Sequence, residues 1–400
     1  MGTINWSEEQ KQAIYEEGIN ILVAAAAGSG KTAVLVERII TKIINKKMDI
    51  DKLLIVTFTN AAAAEMKERI LDAIYKKLDE NPEDEHLQKQ IMLLSKSNIC
   101  TIDSFCLDVV KNNFYEIDIT PNFRIADQAE IELIKQEVME DLFEKKYIER
   151  DEDFLELINT YTGYRGDEPL KNLVLEIYKY IQSSPYPEEW LEENIEKFNV
   201  KKEIETNEDF AKSVWGKILL ENIRDNVKDC IYGTKNVMAI LKKYDELDKF
   251  YKVICTDLDK FEELEKSLDF WDLSFEIVQN FTFDKWPVDR KISLEAKEIA
   301  KVKRDQIKKK FTTVKDRMLI YNSNEAYRDI YDMYGILNKL KNLVLEFSKD
   351  FSKKKKAKNI IDFNDMEHFA LNILTQKDEN GKYIGTEVAE KYRDKFDEIA

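Results

Sequence analysis

Ile19-Asn20-Ile21-Leu22-Val23-Ala24-Ala25-Ala26-Ala27-Gly28-Ser29-Gly30-Lys31-Thr32 decides how this chain is read. The apolar part, residues 19–26, ends in small side chains, and a short continuous apolar run predicts a buried strand of the parallel type. From Ala25 onward the residues fit the phosphate-loop pattern Gly-x-x-x-x-Gly-Lys-[Ser/Thr], with Ala25 standing where the first glycine belongs. Glycines let backbone N–H groups wrap phosphates, and the start of the next helix adds positive potential. In that arrangement Lys31 reaches the β- and γ-phosphates, and the Thr32 hydroxyl ligates Mg²⁺. Alanine lacks glycine's freedom at positive φ, so the loop is expected to enter in an ordinary conformation.

Working outward, Val34, Leu35, Arg38, Ile39 and Ile43 are spaced for an amphipathic helix. Residues 53–58 are again strand-like, and an alanine-rich helix is expected over 61–78. Strand, helix, strand, helix predicts an α/β fold on a parallel sheet with right-handed crossovers. From about 112 to 358 the periodicity is helical almost throughout, with polar breaks near Pro121, 163–169, 183–187, Asn207 and Pro287. Residues 360–374 resume a compact apolar pattern. The expected organisation is a motor domain over 1–112, an all-helical insertion over 113–358, and a return to the motor domain over 359–400. Upstream of the loop, Ser7-Glu8-Glu9-Gln10 suits a helix start, and Gln10 offers a donor and an acceptor together to an adenine edge.

Composition narrows the class. Among 400 residues only 11 are glycine and 6 proline, while 44% are hydrophobic and 35% charged, which favours long helices around a real core. The longest apolar run is too short for a membrane span, which takes about 20 residues, and no basic-then-apolar leader opens the chain. Four cysteines without a CxxC pair read as reduced thiols of a cytoplasmic protein. Two distant histidines, His86 and His368, argue against a His-rich zinc site or a Ser/His/Asp hydrolase. The net charge of −16 argues against a sequence-wide nucleic-acid glue, but it is segregated: residues 121–300 carry −16 and residues 301–360 carry +10. The basic stretch, with Lys301, Lys303, Arg304, Lys308, Lys309, Lys310, Lys315, Arg317 and the lysines at 353–356, has two readings, a solvated helix face or a phosphate track.

Taken together, Ser7-x-x-Gln10, the phosphate loop and Val56-Thr57-Phe58-Thr59-Asn60, followed by Ala61–Ala64 and Glu65-Met66, resemble the UvrD/RecB branch of superfamily 1 DNA helicases. Thr101-Ile102-Asp103-Ser104-Phe105-Cys106 is similar to the Thr-x-His-Ser-Phe-Cys block of that branch. Pro121-Asn122-Phe123-Arg124-Ile125-Ala126-Asp127 and Asp362-Phe363-Asn364-Asp365-Met366-Glu367-His368 narrow the likeness to the AddA-type subunits of bacterial AddAB complexes. The resemblance implies a RecA-like P-loop motor domain with a 1B-like helical insertion. It implies an ATP-dependent DNA helicase and exonuclease that processes double-strand breaks for homologous recombination, acting on single- and double-stranded DNA ends beside an AddB-like partner subunit. The cofactors are then ATP and Mg²⁺. Gln10, Ala27, Gly28, Ser29, Gly30, Lys31, Thr32 and Ala33 become the expected ATP site, with Lys31 and Thr32 acting in catalysis and Thr32 on the metal. Thr57, Phe58, Thr59, Asn60, Ser104 and Phe105 become the expected DNA contacts; Phe58 offers a stacking face, against the alternative of plain core packing.

Two departures from the family pattern matter. Asp103 stands where the block has histidine, and an ionised carboxylate donates nothing to a phosphate. The family's next motif, an apolar strand ending in Asp-Glu, is not matched by Asp397-Glu398, which sits in a polar run. The expectation is therefore an N-terminal fragment truncated before that Walker B strand and inactive on its own. Two other classes compete: a P-loop ATPase or kinase unrelated to DNA, and an acidic helical partner-docking module.

Overall fold

The computed structural model describes residues 6–400 apart from 25, 27, 46, 118, 164–165, 201–206, 290–294 and the side chains of 207–209. They fall into two compact units, Met1–Lys145 with Phe347–Ala400, and Lys146–Glu346.

The first unit opens with α1 (Glu8–Tyr15), α2 (Lys31–Asn45), β1 (Leu53–Thr57), α3 (Asn60–Glu80), α4 (Glu85–Leu94), β2 (Asn98–Thr101), α5 (Ile102–Asn112) and β3 (Arg124–Ile125). The chain leaves it within α6 (Gln128–Glu149). In the second unit follow α7 (Glu152–Tyr161), α8 (Glu168–Ile181), α9 (Pro187–Glu196), α10 (Val214–Leu241), α11 (Asp248–Ser267), α12 (Trp271–Asn280) and α13 (Glu295–Thr313). The chain returns within α14 (Ser323–Ala357), then forms β4 (Ile360–Ile361), α15 (Phe363–Leu374), the hairpin β5 (Thr375–Lys377) and β6 (Tyr383–Gly385), α16 (Glu387–Lys395) and β7 (Glu398–Ile399).

The sheet of the first unit is parallel, in the order β2-β1-β7. Its core follows the expected periodicities. Val36, Ile39 and Ile43 of α2, and Ala63, Met66, Ile70 and Ile74 of α3, pack with Leu53 and Ile55 of β1 and Ile99 of β2. Burying each of the larger side chains, Val, Leu, Ile or Met, contributes about 1.5–3 kcal/mol. A second, two-residue ladder pairs Arg124 with Ile360 and Ile125 with Ile361, so the chain between β3 and β4 leaves and returns at one place.

The second unit is helical around its own core, with Phe210, Phe250, Phe261 and Phe311 buried. Arg304 lies inside that core, 2% exposed, held by Asp257 through Nε at 2.6 Å and Nη2 at 3.0 Å and donating to the Asp284 carbonyl at 2.9 Å. The Trp286 and Phe283 rings lie beside its guanidinium.

Three expectations change. Residues 19–24 of the apolar run 19–26 do not form a strand: among the described residues they pair with no neighbour, and Leu22 is 95% exposed. Hydrophobicity favours burial, but a strand also needs a partner for its N–H and C=O groups. Between this run and β7 lies an open, largely apolar cavity of about 1250 Å³, with Ile19, Ile21, Val23, Val34 and Ile399 on its walls. The basic stretch is paired or buried in part, while Lys301, Lys303, Lys309 and Arg317 are exposed. Arg304 is buried, Lys310 pairs with Asp229, Lys339 with Asp153 and Glu156, Lys354 with Glu137, and Lys355 with Asp362 and Asp365. Finally, the compact helical unit spans Lys146–Glu346 where 113–358 was expected. Periodicity marks a helix but not the point at which it changes packing partners, and both boundaries fall inside helices.

Candidate nucleotide and nucleic-acid site

Helix α1 begins with a reciprocal cap. The Ser7 hydroxyl accepts from the Gln10 N–H at 3.2 Å, and the Ser7 N–H donates to Gln10 Oε1 at 2.9 Å. The same Gln10 amide turns its Nε2 toward the loop and donates to the Ser29 carbonyl at 3.4 Å. Gly28 and Gly30 have φ of 80° and 83°, so both use the left-handed conformation that only glycine adopts freely. Between them Ser29 closes a tight turn, its hydroxyl donating to the Ala26 carbonyl at 2.7 Å.

The turn delivers the chain into α2 at Lys31. The first N–H groups of a helix lack partners within it, and the helical ladder here starts with Val34 N–H on the Gly30 carbonyl at 2.9 Å. Lys31 and Thr32 are exposed, Ala33 half-buried, and the Lys31 ammonium lies 3.4 Å from the Ala26 carbonyl. A Cβ at Gly28 would meet nothing within 4 Å, so the turn is open on that side. Backbone donors, a lysine and a hydroxyl at an open helix start are a donor set that fits a triphosphate with its Mg²⁺. Ala27 of the expected set, like Ala25, lies outside the described residues.

The other expected contacts lie at the carboxyl end of the sheet, where parallel sheets present ligand sites. The register Thr57↔Thr101 sets the turns after β1 and β2 side by side. Phe58 is 96% exposed, which removes the core-packing alternative. Around it the backbone is braced: the Thr57 hydroxyl donates to the Thr59 carbonyl at 3.0 Å, and the Thr59 hydroxyl caps α3 by accepting from Ala62 N–H at 3.1 Å. Asn60 is exposed at the first position of α3. In the second turn Thr101 caps α5, and its hydroxyl lies 2.8 Å from that of Ser104. Phe105 turns inward, edge-on to Tyr392 at 5.7 Å and beside Phe396 at 6.5 Å. The structure thus brings Thr57, Phe58, Thr59, Asn60 and Ser104 to one end of the sheet and gives Phe105 a packing role. Cys106, one residue on, is half-buried, and burial, then the carboxylates of Glu367 and Asp103, push its thiol up to about 11.

Residues 6–400 match the UvrD/REP helicase N-terminal domain. The chain belongs to that family. Among its relatives is the ATP-dependent helicase/nuclease A-subunit of Clostridioides difficile, 42% identical over 100% of this chain and 32% of its own length. The proteins of the same description from Acetivibrio thermocellus and Clostridium beijerinckii are 42% and 41% identical over 98% and 100% of this chain. The chain spans about a third of the length of these relatives.

Within this UvrD/REP-family chain, Glu398 near the last described residue is tied to α2. Its carboxylate is held by Arg38 Nε at 2.7 Å and by the Lys42 ammonium, both from α2. Burial alone would raise its pKa, but these two partners outweigh it and hold the group below the usual glutamate value. Sequence reading placed Arg38 on an amphipathic helix and did not anticipate this cluster. Its only local signal is the spacing of Arg38 and Lys42, one turn apart on one face.

Proposed function

We propose that this chain forms the ATP-binding and DNA-engaging part of an ATP-dependent DNA helicase/nuclease that processes double-strand breaks for homologous recombination. Gly28, Ser29 and Gly30 wrap the phosphates with backbone N–H groups, Lys31 meets the β- and γ-phosphates, Thr32 ligates Mg²⁺, and Gln10 reads the adenine. When bound, Mg²⁺ neutralises charge on the phosphates; the chain's own part is to orient them at the start of α2. Thr57, Phe58, Thr59, Asn60 and Ser104 contact single-stranded DNA, Phe58 by stacking on a base and the others by polar contacts to the backbone. The Lys146–Glu346 unit is read as a 1B-like insertion into a RecA-like domain, a reading supported by the β3–β4 ladder that brings its two flanks together. The proposed partners are DNA ends and an AddB-like subunit, and the proposed compartment is the cytoplasm; among the described residues no helix is long and apolar enough to cross a membrane.

The observation that carries this reading is the exposed Phe58 on a braced turn at the carboxyl end of the sheet, in the same unit that holds the glycine turn. An exposed aromatic there suits stacking on a base of single-stranded DNA. The test is linkage. Fluorescence anisotropy with a labelled oligothymidylate, run with and without Mg-ATP, is expected to show DNA binding whose affinity changes with nucleotide. ATP binding without any DNA binding points instead to an ATPase or kinase unrelated to DNA.

A further inference from the structure

Helix α1 carries Gln10, yet little holds it in place. It is eight residues long, its one buried side chain is Ile14, and its last turn has no basic residue to meet the C-terminal carbonyls. Arg38 of α2 supplies what is missing. Its Nη1 donates to the carbonyls of Ala13 at 2.9 Å and Glu16 at 2.8 Å and lies 3.4 Å from that of Ile14. These are carbonyls that a helix end leaves unpaired, and a cation there also meets the negative end of the helix dipole. The guanidinium is in turn fixed on its other side by Glu398. At the opposite end α1 meets the loop through the long Gln10–Ser29 hydrogen bond.

Arg38 therefore ties α1 to the helix that begins at the phosphate loop. Seven residues after Lys31 on α2, it fixes the distance between the two halves of a nucleotide site, the phosphate cradle and the base-reading amide. We propose that Arg38 is a positioning residue that sets base selectivity, holding Gln10 where it meets an adenine without touching the nucleotide itself. The inference rests on the reading of the loop as an ATP site and of Gln10 as its adenine contact. Three ligands separate the contributions: ATP; ITP, whose 6-oxo group replaces the adenine amino group; and inorganic tripolyphosphate, which has no base.

Calorimetry on the 400-residue chain with each ligand and Mg²⁺ is the test. The wild type is expected to prefer ATP to ITP. Arg38→Gln is expected to lower ATP affinity about three- to tenfold, the effect of losing one or two hydrogen bonds, to bring ATP and ITP together, and to leave tripolyphosphate binding unchanged. Gln10→Ala is expected to do the same, and the double variant to lose no more than either single one, because both act through one contact. ATP and tripolyphosphate affinities falling in parallel would overturn the proposal, since Arg38 would then support the loop or the fold and not the base. So would an unchanged ATP preference in Arg38→Gln. If Arg38→Gln does not fold, Arg38→Lys, which keeps the charge but not the fork that spans α1 and Glu398, is read in the same way. A wild type that binds neither ATP nor tripolyphosphate removes the nucleotide reading itself. A wild type that binds both but does not distinguish ATP from ITP removes the Gln10 assignment alone, and this inference with it.

Discussion

Two short apolar runs, each leading into a turn that carries a candidate ligand site, take opposite forms in the first unit. Leu53–Thr57 is the central strand of a parallel sheet, flanked by β2 and β7 and covered by α2 and α3, with Ile55 1% exposed. Residues 19–23 are as apolar, yet Ile19, Ile21, Leu22 and Val23 are all exposed, and no strand lies beside them among the described residues. The difference is one of company: β1 has neighbours on both edges for its backbone groups, and the earlier run has none. Apolar content indicates that a segment favours burial, while pairing decides whether it becomes a strand. The turns differ in their bracing to match. The Phe58 turn is fixed by Thr57, Thr59 and the strand beneath, whereas the glycine turn is held by Ser29, Gln10 and the start of α2.

The sharpest way to break this comparison is through stability. Ile55→Ala is expected to cost about 2–5 kcal/mol, in the range of large-to-small changes in packed cores, and to lower the thermal midpoint by several degrees. Next in size, Lys31→Ala removes a charged donor worth about 1.5–3 kcal/mol to a phosphate. It is expected to weaken ATP binding at least tenfold by calorimetry with the midpoint unchanged; equal affinity in wild type and variant would remove Lys31 from the site. Phe58→Ala comes third. Losing a stacking contact of about 1–3 kcal/mol, it is expected to weaken oligothymidylate binding with no change in melting, whereas a large drop in midpoint would mean that the ring is packed after all. The smallest effect is the most pointed for the comparison. Leu22→Ser should stay within about 0.5 kcal/mol of wild-type stability, as exposed substitutions do; a loss the size of that at Ile55 would make residues 19–23 a buried strand.

Local signals proved readable, and contacts made at long range did not. The run expected at 53–58 became β1, the helix expected at 61–78 became α3, and the glycine turn leads into α2 as its pattern indicates, without the strand expected before it. These depend on residues close together in the chain. Strands β3 and β4 are two residues long, so neither carries a pattern of its own; each exists because the other lies beside it. Arg304 looked like one cation among many because its partner Asp257 lies on a different helix, 47 residues away. Phe105 belonged to a block expected at DNA, but the rings that enclose it are Tyr392 and Phe396.

The outer flank of β7 has a consequence for how the chain behaves in solution. Among the described residues that flank has no ladder, Ile399 of β7 is 69% exposed, and the run at 19–23 faces the same cavity. An open edge next to apolar surface is a template on which further copies can pair. The net charge of −16 opposes such encounters through mutual repulsion, which salt weakens. Colloidal stability of this chain should therefore fall as ionic strength and concentration rise, with clear dilute samples at low salt and growing light scattering at high salt.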